Sequence, residues 1–395
     1  MRRPESARRI RGSRTTHSIL SRKDSAFMVS RLSSRFALAA AAAALLFGAA
    51  PAALAQGTDA PQYVIEDNDF LGPGGSDIQS TLPLLANPHV RVLGFTVVVG
   101  DAWENEESAH LRRFLEIAHR GDIPVVDGAT QPLVNTVELM RLRQAQYGAI
   151  PWKGAWGGPG PMDNVPDSQP AVGTLPEGNP SLKATPGAAA MFMIQQVHAH
   201  PHQVTIFAAG PLTNVALAIR LDPTFASTAK KLVFMGGLLD ANLKTVTGNP
   251  DWNSDFNLIF DPEAIHIALT ADFPEIVSVG NIANDVEMSH AYMDRIAAKS
   301  TPVTQYLKRF YKPLPLWDEL TAAIAVDPTL IEKSVTTYED VEIARGINYG
   351  HAYVWPQSTV PAKMGVRKVQ VVQSVDAKRF MDNLVHQAQT VMDGH

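Results

Sequence analysis

Three aspartates and several glycines lie within eleven residues, directly after a short apolar run. Asp67-Asn68-Asp69 follows the strand-like segment Tyr63-Val64-Ile65, and Pro73-Gly74-Gly75-Ser76-Asp77 comes next. Carboxylate oxygens suit a hard cation such as Ca²⁺ or Mg²⁺, and the glycines let the backbone bend until Asp69 and Asp77 face one ion. The segment therefore predicts a cation site at a strand end. The alternative is an acidic surface turn, because Asp and Gly are also common turn formers.

Four further polar groups of residues lie where predicted strands end, which is the usual place for sites in parallel α/β sheets. They are Gly100-Asp101, Ala208-Ala209-Gly210-Pro211-Leu212-Thr213-Asn214, Gly248-Asn249 with Asp255-Phe256-Asn257, and Trp317-Asp318. A backbone carbonyl of the second group could reach an ion, and the amides and carboxylates of the third could bind vicinal hydroxyls. Asp318 has an alternative role as the N-cap of a helical run over 320–326.

Strands and helices must position these groups, and the chain alternates apolar strand-like runs with amphipathic helical ones. The sequence predicts strands over 90–99, 123–126, 204–208, 231–234 and 366–372, and helices over 105–120, 212–221 and 376–391. This alternation requires crossover connections and a largely parallel sheet. The predicted fold class is therefore α/β, a single domain with a mostly parallel central sheet flanked by helices.

The first 55 residues have the pattern of a targeting segment. Arg31 and Arg35 precede the apolar stretch 36–50, and Ala53-Leu54-Ala55 supplies a small-x-small cleavage pattern. The stretch is short for a membrane span, although an anchor is the alternative. We therefore predict a leader and signal peptide over 1–55, a mature domain over 56–395, and a periplasmic or secreted protein after cleavage near Ala55.

The charge of the mature part bears on its partners. The leader holds ten Lys or Arg and two acidic residues, so residues 56–395 carry 24 basic and 37 acidic residues, a net charge of −13. Such a chain repels nucleic-acid polymers unless it has a local basic stripe, and none is evident. We expect a small-molecule ligand and no membrane partner after cleavage. The sequence leaves open whether the chain forms a homo-oligomer.

Cysteine is absent from the chain. Exported proteins often use disulfides, but about 340 mature residues can bury a core of their own. The fold must therefore rely on that core, with or without a metal.

One segment breaks the alternation of strands and helices. Residues 151–186 are dense in Pro and Gly and carry Trp152 and Trp156. A loop this long within a compact domain is usually a lid, a binding loop or disordered, and the two tryptophans favour a lid. The alternative is that both rings pin the loop to the core, because Trp is buried more often than it is functional.

Taken in order, these motifs resemble the inosine-uridine preferring nucleoside hydrolase family, whose opening motif is D-x-D-P-G-x-D-D. Here that motif appears as Asp67-Asn68-Asp69, three additional residues, and Pro73-Gly74-Gly75-Ser76-Asp77. The other matching strings are Leu93-Gly94-Phe95-Thr96 with Asp101, Gly210-Pro211-Leu212-Thr213-Asn214, Met235-Gly236-Gly237, Asp255-Phe256-Asn257 with Asp261-Pro262-Glu263-Ala264, and Trp317-Asp318. Their order and spacing are more specific than any one string.

The resemblance implies a calcium-dependent hydrolase that splits the N-glycosidic bond of ribonucleosides into free base and ribose. The implied Ca²⁺ ligands are Asp69, Asp77, Asp318 and the main-chain carbonyl of Ala209. Asp69 would take the proton of the attacking water. The implied sugar contacts are Asp101, Asn249, Asp255 and Asn257. In physical terms, the ion lowers the pKa of the water, and the carboxylates stabilise an oxocarbenium-like transition state.

Trp317 bears on the expected base preference. Many family members place a His before the last Asp, whereas Trp317 stands there in this chain and resembles the purine-specific branch. An indole can stack on a purine but has no titratable proton to give. We therefore expect purine nucleosides as substrates, with Trp317 as one stacking wall and Trp152 or Trp156 as the other. The alternative is that Trp317 is a core residue.

Two departures from the family pattern lead to an alternative function. Ser76 stands where the family has the first Asp of the final pair, a residue associated with sugar contact, and Phe70-Leu71-Gly72 lengthens the metal loop. A hydroxyl can hydrogen-bond a sugar but contributes no negative charge. The alternative is therefore an exported, Ca²⁺-dependent riboside- or polyol-binding protein without turnover.

A metal site of another kind is suggested by His198-x-His200-x-His202, because alternating His on a strand can share one face. The segment follows a predicted helix over 188–197 and contains Pro201. We therefore favour a solvated helix end. The sequence contains no P-loop, nucleophile elbow or dinucleotide-binding fingerprint.

Overall fold

The short apolar runs of the sequence form the strands of one sheet in the computed structural model, which describes residues 61–158, 160–238 and 255–393. The strands are β1 (Gln62–Asn68), β2 (Val90–Val97), β3 (Val125–Val126), β4 (Val204–Ala208), β5 (Lys231–Met235), β6 (Ile276–Val279), β7 (Ile331–Val341), β8 (Ala352–Trp355) and β9 (Lys368–Val375). Their order across the sheet is β3-β2-β1-β4-β5-β6-β9-β7-β8.

Most neighbouring strands pair in parallel. Only β7 runs the other way within the described sheet, and it pairs antiparallel with β8 and β9. The chain passes from β1 outward to β2 and β3, then returns to place β4 on the opposite side of β1. This reversal creates a switch point beyond the C-terminal ends of β1 and β4, where parallel α/β sheets bind ligands.

Helices occupy most of the connections. They are α1 (Ser76–Gln79), α2 (Thr81–Leu85), α3 (Glu104–Ile117), α4 (Val137–Tyr147), α5 (Ala189–Ala199), α6 (Thr213–Leu221), α7 (Phe225–Thr228), α8 (Phe256–Phe260), α9 (Pro262–Leu269), α10 (His290–Ala297), α11 (Pro302–Phe310), α12 (Trp317–Val326) and α13 (Ala377–Thr390). Short 3₁₀ turns span Gly154–Trp156, Asn281–Asp285 and Pro328–Leu330.

Successive side chains of the central strands point to opposite faces of the sheet, and each face has its own core. On β1, Val64 joins one hydrophobic cluster and Ile65 the other, and on β4 Phe207 and Ile206 divide in the same way. The first cluster includes side chains of α2, α12 and α13, and the second includes side chains of α5, α6 and α9. Because both faces are covered, these strands read as continuous apolar runs in the sequence.

The predicted fold class is confirmed, and several boundaries agree closely. The described residues lie within one compact unit spanning 57–395. Strand β4 has the predicted bounds, whereas β2 ends at Val97 rather than Val99. The antiparallel strands β7 and β8 were not predicted, because residues 332–336 of β7 are exposed and give no apolar run.

The alternative that Asp318 caps a helix is wrong. Helix α12 begins at Trp317 with Leu316 at its N-cap, so Asp318 lies inside the first turn. The predicted leader over 1–55 and the predicted sugar contact Asn249 lie outside the described residues. None of the described helices is both long enough and apolar enough to cross a membrane.

Candidate active site

Four strand ends meet at the switch point of the sheet. Asp69 follows β1, Asp101 follows β2, Ala209 follows β4 and Gly236 follows β5. Helix α12 brings Asp318 to the same place, close enough for its charge to raise the pKa values of Asp69 and Asp255. Residues that are up to 249 positions apart in sequence therefore form one acidic site.

Asp69 is held between two glycines. A Cβ atom on Gly100 would lie 2.0 Å from Asp69 Oδ2, and one on Gly210 would lie 2.7 Å from Oδ1. The backbone N–H of Asp101 donates to Asp69 Oδ2 at 2.8 Å. The carboxylate is buried, and its orientation is fixed by the ends of β2 and β4.

Asp77 and Asp318 contact each other through their carboxyl groups. Two such groups in contact must share a proton or a cation, because two bare carboxylates repel. Asn68 supports the pair, since its Nδ2 donates to Asp318 Oδ2 at 3.2 Å and to the carbonyl of Asp77 at 3.4 Å. The acidic turn predicted as an alternative for this segment is buried and not a surface feature.

The three additional residues of the metal loop contact other parts of the domain. Phe70 is fully buried against Phe95, with ring centroids 5.9 Å apart. The N–H of Leu71 donates to Asp77 Oδ2 at 2.8 Å. A Cβ on Gly72 would overlap the ring of His110. The insertion therefore places a hydrogen-bond donor on one of the predicted metal ligands.

Ser76 lies between α1 and α12. Its Oγ donates to Glu319 Oε2 at 2.5 Å and accepts the N–H of Asp318 at 3.0 Å. Both Ser76 and Glu319 are buried. Ser76 is therefore next to the predicted site, and its hydroxyl proton is directed toward a carboxylate on α12.

Two of the predicted sugar contacts, Asp255 and Asn257, lie on the β4 and β5 side of the site, whereas Asp101 follows β2. Asp255 caps α8 and accepts the N–H of Asn257 at 2.9 Å. The amide of Asn257 donates to the carbonyl of Ala209 at 2.5 Å, so that carbonyl already has one partner and keeps a second lone pair. A Cβ on Gly236 would approach Asp255 Oδ1 to 3.1 Å.

The two tryptophans of the long loop have different positions. Trp152 is 41% exposed, and its indole N–H donates to Asp101 Oδ1, which places it at the site. Trp156 is buried and packs on Phe260 with ring centroids 4.6 Å apart. Trp156 thus lies in a core cluster with Val99 and Phe260, which agrees for this ring with the alternative of a pinned loop.

Several contacts anchor the loop over 151–186. The N–H of Ala155 donates to the carbonyl of Gly100 at 2.8 Å. The buried ammonium group of Lys153 donates to carbonyls of the loop itself, including that of Gly160 at 3.1 Å. Farther along, Glu177 hydrogen-bonds with His110 of α3. The loop is folded onto the domain and does not stand away from it as an open lid.

Trp317 is half-buried beside Asp318. Its indole N–H donates to Asn284 Oδ1 at 2.7 Å, and the ring packs against the first core cluster. This contact fixes the indole plane and agrees in part with the alternative of a core residue. The ring retains partial exposure next to the carboxyl groups.

Burial raises the pKa of the carboxyl groups in this region. The pKa rises to about 7 for Asp67 and Asp255 and to about 8 for Glu66, in each case chiefly through loss of solvation. The pKa values of Asp69 and Asp77 lie well above the ordinary range for the same reason, with repulsion from Asp318 adding to the effect. The site therefore brings together carboxyl groups whose ionised forms are poorly solvated.

A metal ion would relieve this charge, but the side chains are not arranged as a closed coordination shell. Within the described ranges, no three Asp, Glu, His or Cys side chains form a group that could hold a metal ion. The direct contact between Asp77 and Asp318 is consistent with that finding. The donor chemistry nevertheless fits a hard cation, because the ligands are oxygens and no ion pair of the described residues involves Asp69, Asp77 or Asp318.

The histidine triplet does not form a transition-metal site. His198 pairs with Asp222 at 2.5 Å, and His200 stacks on Tyr63 with centroids 4.3 Å apart. His198 lies in the last turn of α5, which supports the interpretation as a helix end.

Sequence reasoning missed residues that orient the site. These are Asn68 and Glu319, which hold Asp318 and Ser76, Asn284, which holds Trp317, and Asn214 with Thr96, which bind Asp67. Asn68 and Asn214 belong to the motif strings, so their polar character within buried segments was a usable signal. Glu319 and Asn284 gave none, because their partners are more than 30 positions away.

Comparison with known proteins places these features in a family. The model of the inosine-uridine preferring nucleoside hydrolase family matches residues 64–382. An uncharacterised protein of Schizosaccharomyces pombe is 33% identical over 356 residues, which cover 84% of this chain and 86% of that protein. A probable uridine nucleosidase of Arabidopsis thaliana is 31% identical over 245 residues, 62% of this chain and 67% of its own length.

A solved structure has the same fold. An inosine-guanosine nucleoside hydrolase superposes with a TM-score of 0.65 and 22% identity, covering 83% of this chain and 98% of its own. At this identity the likeness concerns the fold alone.

Proposed function

Because the chain belongs to the inosine-uridine preferring nucleoside hydrolase family, whose members are N-ribosyl hydrolases, we propose that it hydrolyses ribonucleosides. The products are the free base and ribose. We infer further that it prefers purine nucleosides and depends on Ca²⁺. The observation that carries the proposal is the meeting of the buried acids Asp69, Asp77 and Asp318 at the switch point of the sheet.

The proposed ion would be held by the predicted ligands. The nucleoside hydrolase family is generally metal-dependent, and an all-oxygen donor set suits Ca²⁺. When bound, the ion lowers the pKa of a water molecule and orients it toward the sugar. The residues that would hold it are Asp69, Asp77, Asp318 and the carbonyl of Ala209. A cation between Asp77 and Asp318 would relieve the repulsion between their carboxyl groups.

Asp69 is the proposed general base. Burial raises the pKa of Asp69 above that of an ordinary aspartate, and a bound cation would oppose this rise and keep the carboxylate ionised so that it can accept a proton. The N–H of Asp101 and the absence of a side chain on Gly100 and Gly210 fix its direction. The Asp69 carboxylate is therefore already oriented to accept the proton of an attacking water.

The sugar would be bound by polar groups on either side of Asp69. Asp101 and Asp255 can accept hydrogen bonds from ribose hydroxyls, and Asn257 supports the carbonyl of Ala209 beside them. Negative charge around the ring would stabilise the positive charge that develops at the anomeric carbon as the base leaves. Asn249 remains a predicted contact.

The preference for a purine rests on Trp317. Its indole is half-buried beside Asp318 and fixed by Asn284, so it can offer a stacking surface at the site. Trp152 is the candidate for a second wall, because it reaches Asp101 and is exposed. One relative named above is a probable uridine nucleosidase and another is an inosine-guanosine nucleoside hydrolase. The proposed preference for purines therefore rests on Trp317 and Trp152 and not on the relatives.

A riboside-binding protein without turnover is the second candidate. The observation that favours a Ca²⁺-dependent riboside- or polyol-binding protein is Ser76 in place of an acid. Its hydroxyl donates to Glu319 and contributes no negative charge that could stabilise the transition state.

Release of free ribose separates the two functions. The purified chain is incubated with inosine, guanosine or uridine, with and without a calcium chelator, and Asp69→Ala serves as the inactive control. We expect chelator-sensitive release that is greatest for the purine nucleosides. Absence of release from all three, while calcium still raises the melting temperature, would establish the binding protein instead.

Export is a separate proposal that follows from the signal-peptide pattern. Cleavage near Ala55 would deliver a nucleosidase outside the cytoplasm, where it could free bases for uptake. N-terminal sequencing of the protein recovered from the exported fraction tests this, and a chain that begins upstream of residue 55 would contradict it.

A further inference from the structure

Ser76 and Glu319 join two helices at the point where each helix carries a site carboxylate. Helix α1 holds Ser76 and Asp77 at adjacent positions, and α12 holds Asp318 and Glu319 at adjacent positions. The hydroxyl of Ser76 donates to Glu319 Oε2 at 2.5 Å and accepts from the N–H of Asp318 at 3.0 Å. The side chain of Ser76 therefore bonds α12 twice, once at the backbone N–H of Asp318 and once at the side chain of Glu319.

Ser76 also serves a helix end that has no cap of its own. Leu316 occupies the N-cap position of α12 and has no side-chain acceptor, so the first N–H groups of the helix need partners from elsewhere. Ser76 supplies one of them to the N–H of Asp318. A shift of α1 relative to α12 would break this bond and move Asp77 relative to Asp318.

Glu319 determines which way the hydroxyl of Ser76 points. A serine hydroxyl has one proton to donate, and Glu319 takes it, so the lone pairs of Ser76 are left to accept. Glu319 is fully buried, and no ion pair of the described residues involves it. A buried acid in this setting is costly, and among the described residues its Oε2 accepts from Ser76 while its Oε1 has no hydrogen-bond partner.

We propose that Glu319 is a positioning residue which acts through Ser76 to set the spacing of the Asp77 and Asp318 carboxyl groups, and with it the affinity for a divalent cation. The inference rests on the cation binding contained in the proposed function. The family's opening motif would place an acid at position 76. In this chain that position is Ser76, and the adjacent acid is Glu319 on α12.

Calcium affinity measured by titration calorimetry on the purified full chain tests the proposal without any substrate. Glu319→Gln and Ser76→Ala should each weaken calcium binding by about 10- to 100-fold, the range for residues that orient metal ligands. Ser76→Asp alone should also weaken it, because two carboxylates would then face each other.

The double variant S76D/E319Q is the decisive one. It exchanges the two chemical roles, since an amide at position 319 can donate to a carboxylate at position 76 and the bridge re-forms. We expect its calcium affinity to return to within about threefold of the wild type, although each single variant is weak. If the hydrogen bond between Ser76 and Glu319 affected only overall stability, the single variants would not lose calcium affinity and the double variant would have none to recover.

Asp261→Asn is the matched control. Asp261 is a buried carboxylate that likewise accepts from a hydroxyl, Thr213 Oγ1 at 2.6 Å, and from a backbone N–H, that of Leu133 at 2.9 Å. Its replacement should lower the melting temperature and leave calcium affinity unchanged.

Unchanged calcium affinity in Glu319→Gln and Ser76→Ala would overturn the proposal, as would a double variant no better than the singles. If Glu319→Gln does not fold, Ser76→Ala and the double variant decide the matter. A wild-type chain that binds no calcium would overturn it together with the cation part of the proposed function. A chain that binds calcium and shows the recovery, but releases no ribose, would uphold the positioning role and contradict only the hydrolase.

Discussion

Two glycines at strand ends determine how closely the backbone can approach Asp69. The space that a Cβ would need at Gly100 or Gly210 is already filled by the carboxylate. Because the oxygens are surrounded on both sides, the side chain has little freedom to rotate. A general base benefits from this restriction, since its reaction requires one direction of proton transfer.

Replacing Asp69 by Ala should abolish turnover. The change removes the proposed proton acceptor, and loss of a general base typically costs about 10²- to 10⁴-fold in rate. The measurement is kcat for inosine at saturating calcium, with circular dichroism to verify the fold. A variant that keeps the wild-type rate would disprove the assigned role.

Gly100→Ala should impair catalysis almost as much, although it removes no functional group. A Cβ there would lie 2.0 Å from Asp69 Oδ2, so the carboxylate must move. The control is Gly121→Ala, whose Cβ would meet Leu182 Cδ1 at an ordinary 3.7 Å. We expect kcat to fall at least about 10-fold in the first variant and to stay level in the second. Equal rates would mean that the position of Asp69 is not critical.

Trp317→Ala should affect purine nucleosides more than pyrimidine nucleosides. Stacking on an aromatic ring contributes about 1–3 kcal/mol per base, and a purine offers the larger surface. We expect kcat/KM for inosine to fall about 10-fold or more, with uridine as the internal control. An equal loss for both substrates would remove the argument for stacking.

At the scale of elements, the packing of helices and loops onto the sheet holds the site residues in place. The loop over 151–186 is fixed at its start by the buried Lys153 and Trp156 and near its end by Glu116 of α3. Helix α9 is tied to β7 by His266, whose Nδ1 lies 2.9 Å from Asp340 Oδ1. Because His266 titrates and its partner Asp340 is buried, the contribution of this hydrogen bond to stability depends on pH.

His266→Gln should destabilise the fold more at pH 6 than at pH 9. The hydrogen bond to Asp340 raises the pKa of His266, while burial opposes the rise. The charged form therefore contributes stability that is complete below about pH 6.5 and is lost as the pH rises through the folded-state pKa. We expect a difference of about 1–2 kcal/mol in urea unfolding at pH 6 that shrinks at pH 9. A difference that grows with pH would contradict this assignment.

At the scale of the whole molecule, the net charge of −13 over 56–395 is partly concentrated in one buried place. The raised pKa values of Asp67, Asp69, Asp77, Asp255 and Asp318 have the same chief cause, which is loss of solvation on burial. A bound cation would stabilise the folded chain, because the unfolded chain keeps no such arrangement.

Calcium should therefore raise the melting temperature. At a concentration 100 times Kd the gain is about 2.7 kcal/mol, which corresponds to about 4 °C for a domain of this size. Scanning calorimetry with and without a chelator measures the shift. Asp318→Asn should remove most of it, and a shift that persists in that variant would place the ion elsewhere.

Much of the fold could be predicted from the sequence, because buried parallel strands and amphipathic helices leave periodic signals. Strand β4 kept its predicted bounds, and α13 differed from its prediction by one residue at each end. The long strand β7 was missed because much of it is exposed and polar. The capping role of Asp318 was wrongly considered because a cap and a first-turn residue look alike in sequence.

The sequence by itself determined the family, the α/β class and the acidic strand-end groups, since residue types and their order are local properties. Only the tertiary structure decided which residues meet: that Trp152 reaches Asp101 while Trp156 is buried, and that Glu319 binds Ser76 across 243 positions. These contacts depend on how strands and helices pack in three dimensions. Spacing along the chain carries no record of them, because the same sequence distance can be bridged or separated by the fold.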